Sequence, residues 1–288
     1  MTPLLATVHR EVVERAPPGL REGLDWLPRT LGVSTQRGGW VEYARLAPII
    51  GLPRFFDLPK STRPRAVRRH VLGGFWGLTL DREADGQSLG GCSTELRHLE
   101  ALWHESFVEV VGLEQASRVL ADCRLSFEAG VCLERTLFAL RRASLVEYAT
   151  CLWLRTGWFS ASTLVELERH SGARELALAE RGIQELMLSL QFLDDAVDLE
   201  EDRSARGLSW PELLGQTRAD FTFLSVHFAS RAAETLSAAG VPLLSRWARL
   251  RAAHLWRLTP HAQRIAGPML LLALDVNALH PRPLWSNR

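Results

Sequence analysis

The stretch Gln191-Phe192-Leu193-Asp194-Asp195-Ala196-Val197-Asp198-Leu199-Glu200-Glu201-Asp202 places six acids within nine positions. On a helix, residues three and four apart share a face. Asp194 and Asp195 both align with Asp198, and Asp202 extends the row by another turn. Like charges this close repel and weaken the helix that carries them, so something cationic should compensate. Met187, Leu190 and Gln191 precede the acids on roughly the same side, so the acids continue an apolar stripe. Acids directed at a bundle interior are costly unless they bind metal or pair with cations. Carboxylates without His or Cys partners suit hard ions, and the run lacks the alternating acids and central Gly of a calcium loop. Magnesium takes one or two carboxylates and completes its shell with water and phosphate. The expected cofactor is therefore Mg2+, and the expected substrate carries a diphosphate.

A second acid pair, Asp81 and Asp85, lies four apart behind the apolar run from Val71 to Leu78. Two acids before a Gly are common at helix ends. Beside the stronger motif, they are expected to form the opposite wall of the metal site.

The elements that must carry these residues read as helices throughout. Residues 1–64 are rich in Pro and Gly and read as short helices broken by turns. From Arg65 the character changes, and over Arg174–Asp202, the clearest helix, apolar and polar residues recur at three and four, not two. The spacing predicts helices over 65–85, 94–111, 113–130, 132–160, 163–169, 174–202, 217–239 and 243–258. No window alternates like a strand between hairpin turns. The expectation is a single all-α domain over 1–288, with a core bundle over 65–288 and no linker to divide it.

Composition sets the outer limits. The 34 basic and 33 acidic residues nearly cancel, which argues against a nucleic-acid partner bound through bulk charge. Lys60 is the only lysine, so arginine supplies every other cation. Its planar fork of donors suits phosphate oxygens. Four cysteines without CxxC spacing do not make a disulfide framework. The longest apolar run, Met269 to Leu274, is too short for a transmembrane segment, and the start lacks a signal-peptide core. The expected location is cytoplasmic.

At this point the chain resembles a family. Gln191-x-x-Asp194-Asp195-x-x-Asp198 resembles the second aspartate-rich motif of trans-prenyl diphosphate synthases. The continuation Asp198-x-x-Glu201-Asp202, followed by Arg206-Gly207 and Pro211, resembles that of squalene and phytoene synthases. Arg155-Thr156-Gly157-Trp158-Phe159 resembles the Lys-Thr-Gly segment of the prenyl synthases, with Arg for Lys. The resemblance covers roughly residues 65–215. It implies the class I terpenoid synthase fold, a multi-helix bundle around a central apolar cavity, with acid motifs on facing helices at its mouth. Asp81-x-x-x-Asp85 would be the first motif.

By this resemblance, Asp81, Asp85, Asp194, Asp195 and Asp198 are the expected metal ligands and catalytic residues, with Glu201 and Asp202 next. Arg155 and Arg206, then Arg68 and Arg69, are the expected diphosphate contacts. Phe75, Trp76, Trp153, Phe159, Phe192 and Gln191 are expected to line the pocket, where ring faces would stabilise a carbocation. His104 and Glu105 read as surface polar residues rather than a base pair. Paired arginines after the first motif and an N-terminal Gly-Lys-Arg segment are missing, which argues against a second, isopentenyl diphosphate substrate. The Asn-x-x-x-Ser-x-x-x-Glu motif and C-terminal Arg-Tyr pair of bacterial cyclases are missing too.

The expected activity is Mg-dependent ionisation of a prenyl diphosphate with release of pyrophosphate, as in a terpene synthase. The alternatives are a prenyltransferase, chain-elongating or head-to-head, and an inactive subunit partnering an active synthase. The expected macromolecular partner is a second copy, as a homodimer, or such a synthase.

Overall fold

The computed structural model of the chain describes residues 3–24, 51–84 and 93–258. The described residues contain no strand. The helices are α1 (Pro3–Arg15), α2 (Arg63–Ala84), α3 (Ser93–Val111), α4 (Leu113–Leu140), α5 (Leu145–Leu167), α6 (Ala173–Val197), α7 (Leu199–Arg206), the single turn α8 (Trp210–Leu213), α9 (Arg218–Ala238) and α10 (Pro242–Leu258). None is long and apolar enough to cross a membrane, and no disulfide joins Cys123, Cys132 and Cys151.

The chain divides into two compact units, Met1–Arg124 with Trp158–His170, and Leu125–Gly157 with Ser171–Arg288. Two of the three boundaries fall inside α4 and α5, which explains why no linker is legible in the sequence.

In the first unit, α2 packs on α3 and α1. Gly73 and Gly77 bring indoles close to the α2 backbone: a Cβ at Gly73 would stand 3.0 Å from Trp103, and one at Gly77 2.3 Å from Trp158. Trp76 and Trp103 lie with ring centroids 4.9 Å apart, and both are fully buried. Burying several such side chains, each worth about 1.5–3 kcal/mol, is the main stabilising contribution here.

In the second unit, α6 lies along α9, and α9 packs on α10. Gly182 permits the approach, since a Cβ there would stand 2.6 Å from Leu236 Cγ. Further along, Ser225 donates to the Ser189 carbonyl at 2.6 Å. The core of this unit is aromatic. Phe192 on α6 stacks on Phe228 at 5.6 Å and meets Phe221 edge-on at 5.1 Å.

Four element boundaries differ from expectation. The expected helices over 113–130 and 132–160 meet in one helix through Gly130, which ends at Leu140. Arg141 then adopts a left-handed φ of 53°. Ser144 and Glu147 form a reciprocal capping pair that starts α5, with Glu147 Oε2 accepting from Ser144 N at 2.7 Å and Glu147 N donating to Ser144 Oγ at 3.2 Å. α5 continues through the segment expected as a separate helix at 163–169. The expected helix over 174–202 breaks at Asp198, where φ −91° and ψ 12° redirect the chain into α7. Gly207, at φ 76°, then ends α7 as the sequence suggests.

Candidate functional site

The break at Asp198 decides where the acid motif points. Asp194 is exposed on the last turn of α6, Asp195 is buried, and Asp198 sits half-buried between α6 and α7. The motif acids therefore do not line one continuous helical face. Asp202 lies on α7 and pairs with Arg206 one turn on, Glu201 is exposed, and Glu200 pairs with Arg203 at 2.8 Å.

Asp195 turns inward onto α5. Tyr148 donates its hydroxyl to Oδ2 at 2.5 Å, and Gln191 Nε2 donates to Oδ1 at 2.9 Å. Burial pushes the Asp195 carboxyl up to about 7, against the pull of these two hydrogen bonds, and the Asp194 and Asp202 charges push the same way. The same burial, with Asp195 beside it, drives the Tyr148 hydroxyl well above its ordinary value. Cys151, one turn along α5, is pushed up to about 12, first by burial and next by Glu134. Its thiol donates to the Gly130 carbonyl at 3.3 Å.

Arg206, which pairs with Asp202, meets Arg155 on a residue the sequence reading did not single out. Glu134, on α4 and only 7% exposed, accepts from Arg206 Nη1 through Oε1 at 2.9 Å and from Arg155 Nη1 through Oε2. Gly130 makes this possible. One turn before Glu134, it lets α4 and α5 approach so closely that a Cβ would stand 2.9 Å from the Arg155 backbone nitrogen. Each guanidinium also lies over a ring, Arg155 over Phe127 at 5.8 Å and Arg206 over Phe138 at 5.3 Å. Nothing in the local sequence marks Glu134. A Gly inside an otherwise helical run is the one signal of a close approach there.

Among the described residues, no group of three or more His, Cys, Asp or Glu is arranged to hold a metal. Asp195 has both oxygens engaged, and Asp202 and Glu134 are bonded to arginines. Asp194 and Asp198, one helical turn apart, are the motif carboxylates at the accessible end of α6. Two carboxylates meet the minimum for magnesium that arrives with a phosphate-bearing partner; they do not make a cage for a resident ion.

The remaining predicted residues divide between the units. Asp81 is half-buried on the last turn of α2 in the first unit, and Asp85 lies outside the described residues. Arg68 forks onto Glu11, with Nε 2.8 Å from Oε2. Arg69 is fully buried and pairs with Glu166 at 2.9 Å, while its Nε donates to the Ser106 carbonyl at 3.0 Å. Both arginines are thus committed to ion pairs inside the first unit. Phe75, Trp76 and Phe159 are enclosed in the first unit, and Trp153 and Phe192 in the second; Gln191 is half-buried. Trp153 Nε1 is buried without a hydrogen-bond partner. His104 contacts Ser117 at 3.0 Å and Glu105 pairs with Arg15, both as exposed contacts.

No family model, curated protein or solved structure matches the chain.

Proposed function

We propose that the protein ionises an allylic prenyl diphosphate with release of pyrophosphate, as a Mg-dependent class I terpene synthase. The observation that carries this reading is local to the second unit. Arg155 and Arg206 converge at Glu134, and Arg206 also pairs with the motif acid Asp202. A cationic pair beside an acidic helix end is what a metal-bridged diphosphate requires. The resemblance of Gln191–Asp202 and Arg155–Gly157 to prenyl synthase motifs supports the same reading.

In this account Arg155 and Arg206 orient the diphosphate oxygens, which their planar donors suit. Asp194 and Asp198 hold the magnesium that comes with the substrate. When bound, the ion acts as a Lewis acid that neutralises the leaving pyrophosphate. Asp195, its carboxyl pushed up to about 7 by burial, fixes the end of α6 through Tyr148 and Gln191 and is a positioning residue rather than a ligand. Phe192 packs directly behind it among Tyr148, Phe221 and Phe228.

One observation favours a second reading, an inactive subunit partnering an active synthase. Asp195, Asp202, Arg155 and Arg206 all find partners within the chain, so the cluster is self-satisfied.

The test is incubation of the purified protein with magnesium and geranyl, farnesyl or geranylgeranyl diphosphate, each alone and with isopentenyl diphosphate, followed by product identification. A hydrocarbon or alcohol from a single substrate supports the cyclase. Products formed only with isopentenyl diphosphate would make the protein a chain-elongating prenyltransferase. Joining of two copies of one substrate would make it a head-to-head condensing enzyme. No product under any condition supports the inactive subunit.

A further inference from the structure

The buried ion pair of the first unit is satisfied on one side only. Arg69 Nη1 on α2 donates to Glu166 Oε1 on α5 at 2.9 Å, and Arg69 Nε donates to the Ser106 carbonyl on α3 at 3.0 Å. Arg69 Nη2 and Glu166 Oε2 are enclosed and have no partner among the described residues. Each is bonded to the same carbon as the atom that makes the pair, so both lie beside that one contact. Thr163 Oγ1 is a third enclosed atom without a partner there. It lies three residues before Glu166 on α5, the spacing that puts two side chains on one face. Arg69, Thr163 and Glu166 are all fully buried. Thr163 also departs from the habit of threonines in helices of this chain. Thr79, Thr136, Thr150, Thr156 and Thr222 each donate to the carbonyl four residues back at 2.8 Å, and Thr163 makes no such bond. Its hydroxyl is left for another acceptor or donor.

Buried polar atoms in native proteins are paired with the chain or with ordered water, so three unpaired ones around a single contact call for an occupant. The donor set selects its chemistry. Arg69 Nη2 only donates, Glu166 Oε2 only accepts, and a threonine hydroxyl does either. An anion would meet the Glu166 carboxylate and a cation the Arg69 guanidinium, each a like charge at low dielectric. What fits is a small neutral molecule that both accepts and donates. We infer that Arg69 Nη2, Thr163 Oγ1 and Glu166 Oε2 form a binding site for one buried water molecule. The water accepts from Arg69 Nη2 and Thr163 Oγ1 and donates to Glu166 Oε2. About three hydrogen bonds are the usual complement of a buried water. The water closes the open half of the ion pair and adds Thr163 to the tie that joins α2 and α3 to α5. The site lies wholly in the first unit and does not depend on the function proposed above.

The experiment is a high-resolution crystal structure of the full-length protein, with urea unfolding of the wild type and Thr163→Val beside it. The expected density is one water within hydrogen-bond distance of all three atoms. Thr163→Val keeps the side-chain shape and removes the hydroxyl. If the hydroxyl bonds the water, the variant should lose about tenfold in its folding equilibrium constant. If the hydroxyl is simply buried without a partner, replacing it by a methyl group should leave the protein as stable as the wild type or more so. No density at the site, an ion in place of the water, or a Thr163→Val protein at least as stable as the wild type would overturn the inference. If Thr163→Val does not fold, the wild-type density decides, and Thr163→Ser, which keeps the hydroxyl, should hold the same water; its loss there overturns the part assigned to Thr163.

Discussion

Tyr148 on α5 donates its hydroxyl to Asp195 on α6 at 2.5 Å, with both side chains buried. A carboxylate at the centre of an acidic run thus faces a phenol and an amide, and its protonation state is set by burial more than by its neighbours. This carboxyl makes the folded state sensitive to pH. Its folded value of about 7 lies above the ordinary 3.8. Between about pH 4 and pH 7 the folded chain holds a proton that the unfolded chain has released, so stability falls as pH rises through that window. Asp195→Asn removes this contribution. Urea unfolding of both proteins from pH 5 to pH 8 should show the wild type losing stability relative to the variant, by an amount on the order of a few kcal/mol. Parallel curves would contradict the assignment.

Tyr148→Phe removes a donor from a buried acceptor. The expected cost is about 1–3 kcal/mol at pH 8, where Asp195 is ionised, and less at pH 5, where it is protonated. A cost independent of pH, measured by the same unfolding titration, would mean that the lost packing of the hydroxyl matters and the hydrogen bond does not.

Gly130→Ala tests the close approach of α4 and α5. The added Cβ meets backbone atoms of Arg155 and Cys151 at 2.9 and 3.0 Å, and backbone cannot swing aside as a side-chain tip can. Destabilisation of about 1–3 kcal/mol is expected, although Ala is the better helix former. A stabilised variant in thermal melts would show that the approach is looser than described.

Arg69 and Glu166 test the first unit separately. The pair is wholly buried, yet Arg69 Nη2 and Glu166 Oε2 find no partners. Either single change, Arg69→Met or Glu166→Leu, strands a charge and should cost about 3–5 kcal/mol. The double change should recover most of that loss. Additive losses in the double variant would indicate that each residue is held by contacts other than the pair.

Much of the helical pattern is legible in the sequence, and its misses have local physical causes. Gly207 and the Gly240-Val241-Pro242 break end helices where turn chemistry says they should. The break before α5 has no Gly or Pro; Arg141 takes the left-handed position itself, and the signal was the capping pair Ser144-x-x-Glu147. The break at Asp198 is invisible to periodicity, because the acids on either side keep helical spacing across it.

Long-range pairing is the least legible part. Arg155 and Arg206 are readable as cations near the acid motif, but Glu134 is an unremarkable helical glutamate until α4 and α5 come together at Gly130. Arg69 and Glu166 are 97 positions apart, and no sequence spacing links them. The turning of Asp195 away from Asp194 follows from its partner Tyr148, which the sequence presents only as one of two tyrosines.

The central claim is that the acid end of α6 and the Arg155–Arg206 pair act together on an allylic diphosphate. The most direct test is the initial rate of pyrophosphate release from the purified protein with magnesium, across the geranyl, farnesyl and geranylgeranyl diphosphates, for the wild type, Asp194→Ala and Arg206→Gln. The account predicts release by the wild type with at least one of these substrates, dependence on magnesium, and a loss of at least about a hundredfold in either variant, the scale set by removing one preorganised charge contact. Release that persists in both folded variants, or no release by the wild type with any of the three, would contradict it.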